Sequence, residues 1–254
     1  MKTHTHWGFC LLVHWSLCLS LWSEEVDQAE ATLIEQGPFL DGKLDDPCWM
    51  GLPVIKDFRQ RRPNEGVPGT EKTEVRLCRD AHVLFIGVRC FDSQPDQIRA
   101  GVMQRDAPVR GDDYFFILID PFSRGRDGYY FRTNANGAKG EALINSDMGS
   151  PRMDWDTIWE VRSQKDDLGW SAEFAIPFRS IPIDPDSDEW RIDFGRCFAW
   201  CCSCTLFVDC EPIDIGLVDI LRIVTIETIL KTLRAVLCRQ TCRDTGQRTH
   251  DDRL

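Results

Sequence analysis

From residue 73 to residue 194 the chain is a succession of short apolar runs, each closed by a Gly, Pro, Asn or Asp cluster, and this pattern constrains the fold most. The stretch 73–79 alternates, with Val75 and Leu77 on one side and Glu74 and Arg76 on the other. Period-two alternation marks a half-buried strand. Asp80-Ala81-His82 supplies a turn, and 83–90, rich in β-branched and aromatic residues, returns as the second arm of a hairpin. The run 114–119 is almost wholly apolar, which predicts a strand covered on both faces. Stretches 128–134, 141–145, 157–162, 170–176 and 190–194 bring the set to about eight strands. Pro177 stops one of them, because proline has no N–H to give a ladder. No strong helical period lies between these runs. The expectation is an all-β fold, a two-sheet antiparallel sandwich of jelly-roll type.

Three segments differ in character. Residues 1–23 carry Lys2 as their one charge, then an apolar run from Trp7 to Trp22, then the acidic Glu24 and Glu25. The run is shorter than the about 20 residues a membrane helix needs, so the segment reads as a secretory signal peptide and the chain as exported, to the periplasm, the outer membrane or the medium. No membrane span is expected once the signal is removed. Residues 24–200 hold the strands. Residues 201–254 are a cysteine-rich tail opened by Cys201-Cys202-Ser203-Cys204, with an apolar stretch at 213–237 that reads as an amphipathic helix. The tail is unrelated in pattern to the strands before it and reads either as a truncated or misread continuation or as a genuine cysteine-rich extension.

Composition excludes several functions. Hydrophobic residues at 43% and charged residues at 28% are ordinary for a folded soluble domain. Acidic side chains outnumber basic ones 41 to 30, for a net charge of −11, and no basic cluster offsets them, so nucleic acid is not an expected partner. Of the five histidines, His4, His6, His14 and His250 lie outside the strand-bearing segment, and only His82 lies within it. A Ser–His or Cys–His pair and a multi-histidine zinc site are therefore not expected, and no carboxylate pair stands out as catalytic. The chain reads as non-catalytic.

Four motifs carry a resemblance. Leu40-Asp41-Gly42-Lys43-Leu44-Asp45-Asp46-Pro47-Cys48-Trp49 resembles the opening of the family 9 carbohydrate-binding module. The 74–92 hairpin, the acidic-then-apolar run from Asp112 to Asp120, and Gly169-Trp170-Ser171-Ala172-Glu173-Phe174-Ala175-Ile176-Pro177 are similar to later elements of that module, in the same order. The likeness spans about 33–198. Arg89-Cys90-Phe91-Asp92, Gly128-Tyr129-Tyr130-Phe131 and the 154–160 stretch resemble a subgroup that precedes outer-membrane-barrel-like regions in large bacterial proteins. The resemblance implies a β-sandwich that binds a polysaccharide or oligosaccharide, without catalysis, in a carbohydrate-catabolic system. The alternative class is an exported interaction or structural domain, the front of an outer-membrane protein, that no longer binds sugar.

The resemblance also implies site residues. The family's Arg-x-Asn falls on Arg132 and Asn134, two apart and so on one strand face. Trp155, beside Asp154 and Asp156, is a candidate stacking ring, and Asp113 heads the acidic strand. Trp49, Trp159, Trp170 and Trp190 read as core. Three positions depart from the family: Ala107-Pro108-Val109-Arg110 stands where it has a Trp, Phe116 where it has a sugar-bonding Glu, and the unrelated 201–254 tail where it has a second stacking Trp. Asp112, Asp113, Asp120, Asp154 and Asp156 are the residues from which a structural calcium site would be built, although their spacing matches no regular calcium loop.

Overall fold

The computed structural model describes residues 27–60, 64, 66–109, 111–145, 151–184, 187, 189–199 and 222–225. Eleven strands run in chain order: β1 Asp27–Ala29, β2 Thr32–Leu33, β3 Thr73–Arg79, β4 Val83–Phe91, β5 Tyr114–Asp120, β6 Asp127–Asn134, β7 Lys139–Asn145, β8 Glu160–Asp166, β9 Gly169–Pro177, β10 Glu189–Cys197 and β11 Arg222–Thr225. They form a six-stranded sheet, ordered β1-β11-β10-β5-β6-β7, and a five-stranded sheet, ordered β2-β3-β4-β9-β8. Apart from the β1–β11 and β2–β3 pairs, every ladder is antiparallel. Three short 3₁₀ turns and no α-helix accompany them among the described residues. The fold is the β-sandwich that the alternating runs predict.

The core lies where the alternation puts it. From the six-stranded sheet, Phe115, Ile117 and Ile119 of β5, Phe131 of β6 and Trp190, Ile192 and Phe194 of β10 point inward. They meet Val75 and Leu77, Leu84, Ile86 and Val88, and Trp170, Ala172, Phe174 and Ile176 of the other sheet. Strand β5 is apolar on its second face too. There Leu118 packs with Tyr130, Ala142 and Ile144, and Phe116 leans against them.

Two stretches differ from the sequence reading. Thr157, Ile158 and Trp159 favour a strand, yet β8 begins only at Glu160 and runs through polar residues to Asp166. Strand β8 is an edge, and only Val161 belongs to the hydrophobic core, so charge along it blunts unwanted pairing. Trp159 still reaches the core, stacked on Phe174 at 5.9 Å and edge-on to Phe131 at 5.1 Å. Within the stretch read as an amphipathic helix, Arg222–Thr225 is instead a strand, hydrogen-bonded between β1 and β10. The remainder of 201–254, and the leader at 1–23, lie outside the described residues.

The outer face of the five-stranded sheet is covered by the segment before β3. Glu173 of β9 is fully buried there, and its carboxylate accepts three hydrogen bonds from that segment. They come from the backbone N–H of Asp41 and of Gly42, both at 2.9 Å, and from Nε1 of Trp49 at 2.8 Å. Next to it the Ser171 hydroxyl donates to the Gly42 carbonyl at 2.6 Å. Burial raises the Glu173 carboxyl above its usual range, and the Trp49 and backbone donors oppose that shift. Trp49 and Leu44 rest on Gly87 of β4, where a Cβ would come within 2.8 Å of Leu44 Cδ2. Gly42 turns at φ +91°, and a Cβ on it would stand 2.6 Å from the Ser163 backbone. Gly42→Ala should therefore cost at least about 2 kcal/mol in urea denaturation, from left-handed strain plus collision. Gly51→Ala, at φ +75° in open space, should cost about 1 kcal/mol. Equal losses for the two would show that the clasp does not need this close approach.

Candidate functional site

The outer face of the six-stranded sheet follows from alternation. Residues Phe131 of β6 and Phe115 of β5 point into the core, so Tyr130, Arg132 and Asn134 point out, as do Tyr114, Phe116 and Leu118. Strand register then sets the neighbours. Arg132 lies opposite Phe116 on one side and Gly140 on the other, and Phe116 lies opposite Gly195 of β10.

Glycines make this surface flat. A Cβ at Gly195 would stand 2.1 Å from the Phe116 ring, and one at Gly140 would stand 2.5 Å from Arg132 Nε. The ring and the guanidinium thus lie down on the neighbouring strands. Phe116 is half-buried and sits 5.5 Å from the Tyr130 ring and 6.4 Å from the half-buried ring of Tyr114. Nη2 of Arg132 donates to the Ala107 carbonyl at 3.2 Å and the Asp106 carbonyl at 3.5 Å, which fixes the fork against the loop before β5. Its Nε is buried with no partner among the described residues. Burial holds the Tyr130 phenol far above its ordinary range, against the pull of Arg132.

The four residues singled out from sequence separate here. Arg132 and Asn134 do share the outer face, but Asn134 is fully buried and its amide is spent. Nδ2 donates to the Val102 carbonyl at 2.8 Å and to Asp112 at 2.7 Å, and Oδ1 accepts from the backbone N–H of Asn136 and Ala138. It locks the 101–112 loop and the β6–β7 turn, and its amide is left with no free hydrogen-bonding group. Asp113 is 2% exposed. Its carboxylate accepts from the Arg99 N–H at 2.8 Å, beside the Arg196–Asp92 ion pair on the core side, which removes it from the Arg132 face. Trp155 packs against the core, 5.3 Å from the Tyr129 ring and 6.2 Å from that of Phe131. Its neighbour Asp156 pairs with Arg105 at 2.9 Å, and Arg105 also bonds the buried Glu141. Tyr114, Phe116 and Tyr130 went unread as site residues, although their register with Arg132 was open to an alternation argument.

The acids considered for calcium do not converge. Asp112 accepts from the Gly101 and Val102 N–H groups, Asp120 from those of Phe122 and Gly125, and Asp154 pairs with Arg152. Among the described residues no group of three or more His, Cys, Asp or Glu is placed to hold a metal ion. These carboxylates are occupied by backbone donors and arginines, which does not fit a calcium cage of six to eight oxygens. On the other sheet, a groove of about 450 Å³ lies between Leu44, Trp49, Met50 and the charged Glu74, Arg76 and Arg89. Those charges are already paired, Glu74 with Lys72 and Arg76, and Arg89 with Asp166. Among the described residues no helix is long and apolar enough to cross a membrane.

A candidate carbohydrate-binding protein from Bacteroides uniformis shares the fold, with a TM-score of 0.53 and 13% identity over 68% of this chain and 85% of that one. The chain is also similar to a family 9 carbohydrate-binding module from Caldicellulosiruptor kristjanssonii in complex with glucose, at a TM-score of 0.48 and 16% identity over 66% of this chain and 76% of that one. The same organism's family 9 module in complex with cellotriose superposes at 0.44, with 14% identity over 66% and 75%. No protein-family model and no curated protein matches the sequence.

At the far end of the same face, Asp193 lies in register with Leu118, and Arg191 with Asp120. Burial pushes the Asp193 carboxyl up to about 7, with Arg191 opposing the shift and Asp120 adding to it. A raised carboxyl stabilises the fold when protonated, and that stability is lost as pH rises from about 4, the unfolded value, through about 7. Asp193→Asn should remove this loss. The variant should gain on the wild type by on the order of 2–4 kcal/mol between pH 4 and pH 8 in urea titrations. Parallel stability curves for the two proteins would show that Asp193 is charged without penalty.

Proposed function

We propose that this chain is a non-catalytic carbohydrate-binding module whose ligand lies on the outer face of the six-stranded sheet. The observation that carries the reading is the Phe116 ring and the Arg132 guanidinium laid flat side by side on one sheet face, with the half-buried Tyr114 ring tilted beside Phe116. Rings of this kind stack on the C–H faces of a sugar, and a guanidinium donates to its hydroxyls. Arg132 has one nitrogen committed to loop carbonyls, so it is held in place before a ligand arrives. The neighbours' names, one candidate carbohydrate-binding protein and two sugar complexes of a family 9 module, support the same class. The motifs at 89–92, 128–131 and 154–160 support the finer reading of an exported module serving carbohydrate catabolism ahead of a membrane-associated partner region.

Isothermal titration of the full chain with cello- and xylo-oligosaccharides tests the proposal. Binding is expected for at least one sugar. Arg132→Ala should weaken it by tenfold or more, since a hydrogen bond from a charged group contributes about 1.5–3 kcal/mol. Arg132→Lys should weaken it nearly as much, because an ammonium cannot copy the planar fork. Phe116→Ala should also weaken it, while Trp155→Phe should leave it unchanged. No heat for any sugar at millimolar concentration overturns the proposal.

A further inference from the structure

We propose that Cys48 and Cys78 form a disulfide that locks the Trp49 clasp to β3. Cys48 sits in the 3₁₀ turn Pro47–Trp49 and Cys78 in β3, and the turn and the strand approach within 8 Å Cα to Cα. The two side chains lie against one apolar cluster and within each other's electrostatic reach. Both belong to the small apolar cluster of Trp49, Phe85 and Ala175 on the outer face of the five-stranded sheet. Cys78 is fully buried, whereas Cys48 is partly exposed, so one member of the pair is open to an incoming reagent. Cys90 lies in the core between the sheets and Cys197 on the other sheet, in β10.

The chemistry is thiol–disulfide exchange. The Cys48 thiolate attacks one sulfur of an external disulfide, such as oxidised glutathione or the disulfide of a thiol oxidoreductase. One thiol leaves, and a mixed disulfide remains on Cys48. Cys78, once deprotonated, attacks Cys48 Sγ and expels the second thiol. The Cys48–Cys78 bond is formed, the two protein thiols are oxidised, and two protons and two electrons end on the external pair. Burial raises both thiols above their ordinary range, so the reaction should quicken with rising pH. Such a pair stays reduced in a glutathione-poised cytosol and oxidises in an exporting compartment.

The full chain is equilibrated with oxidised glutathione, trapped with N-ethylmaleimide and digested with trypsin without reductant. The expected product joins peptide 44–56 to peptide 77–79 and is two hydrogens lighter than their sum. The oxidised protein should melt roughly 5–15 °C above the dithiothreitol-treated one, and Cys48→Ala should abolish that gap. Recovery of Cys48 and Cys78 each as a maleimide adduct, or of Cys48 joined to a different cysteine, overturns the proposal. So does a melting gap that survives in Cys48→Ala. The peptide map uses the wild type alone, so it decides the matter even where a variant fails to fold.

Discussion

A single carboxylate organises the back of this molecule. Glu173 is buried in the five-stranded sheet, and it can be so because three N–H donors from the segment around 41–49 meet it. An ionised carboxylate left without them would cost several kcal/mol. Trp49 and Leu44 are drawn onto Gly87 by the same contacts, and the outer face of that sheet is closed. The two sequence motifs around Trp49 and Glu173 are thus the two halves of one clasp.

The proposed ligand surface is the opposite sheet. Its inner face carries the core, and its outer face carries rings and a guanidinium supported by Gly140 and Gly195. Arg132 and the loop at 101–109 are coupled through Ala107, and Asn134 ties the same loop to the start of β5 through Asp112. Asn134 therefore supports the proposed site through this loop, its own amide being fully bonded within the protein. Asp193 and Arg191 extend the face with a carboxyl whose charge is poised near neutrality.

The strands were legible because alternation is local and periodic. The ranges of β3, β5 and β6 fall within a residue of those read from the sequence. Strand β8 was misplaced because an edge strand needs few apolar residues, and Thr157–Trp159 carry a stronger propensity than the polar residues that pair. Strand β11 could not be read, since the apolar stretch around it fits a helical period equally well. The site was half legible. One-face placement of Arg132 and Asn134 follows from their spacing, but whether a side chain is free depends on the loop packed over it. Asn134 lost its freedom to Val102 and Asp112, more than 20 residues away. Phe116, noted as a departure from an expected acid, became part of the ring surface once register placed it beside Arg132. The Trp49–Glu173 bond spans 124 positions, a separation no single-sequence pattern encodes.

The outer face of the six-stranded sheet is the proposed binding surface, and the clasped face is the proposed structural one. Amide hydrogen exchange of the full chain, with and without saturating cello-oligosaccharide, separates the two most directly. Slowed exchange should appear in the 101–109 loop, β5 and β6, with the 38–52 segment unchanged. Protection confined to 38–52, or found nowhere, would contradict it.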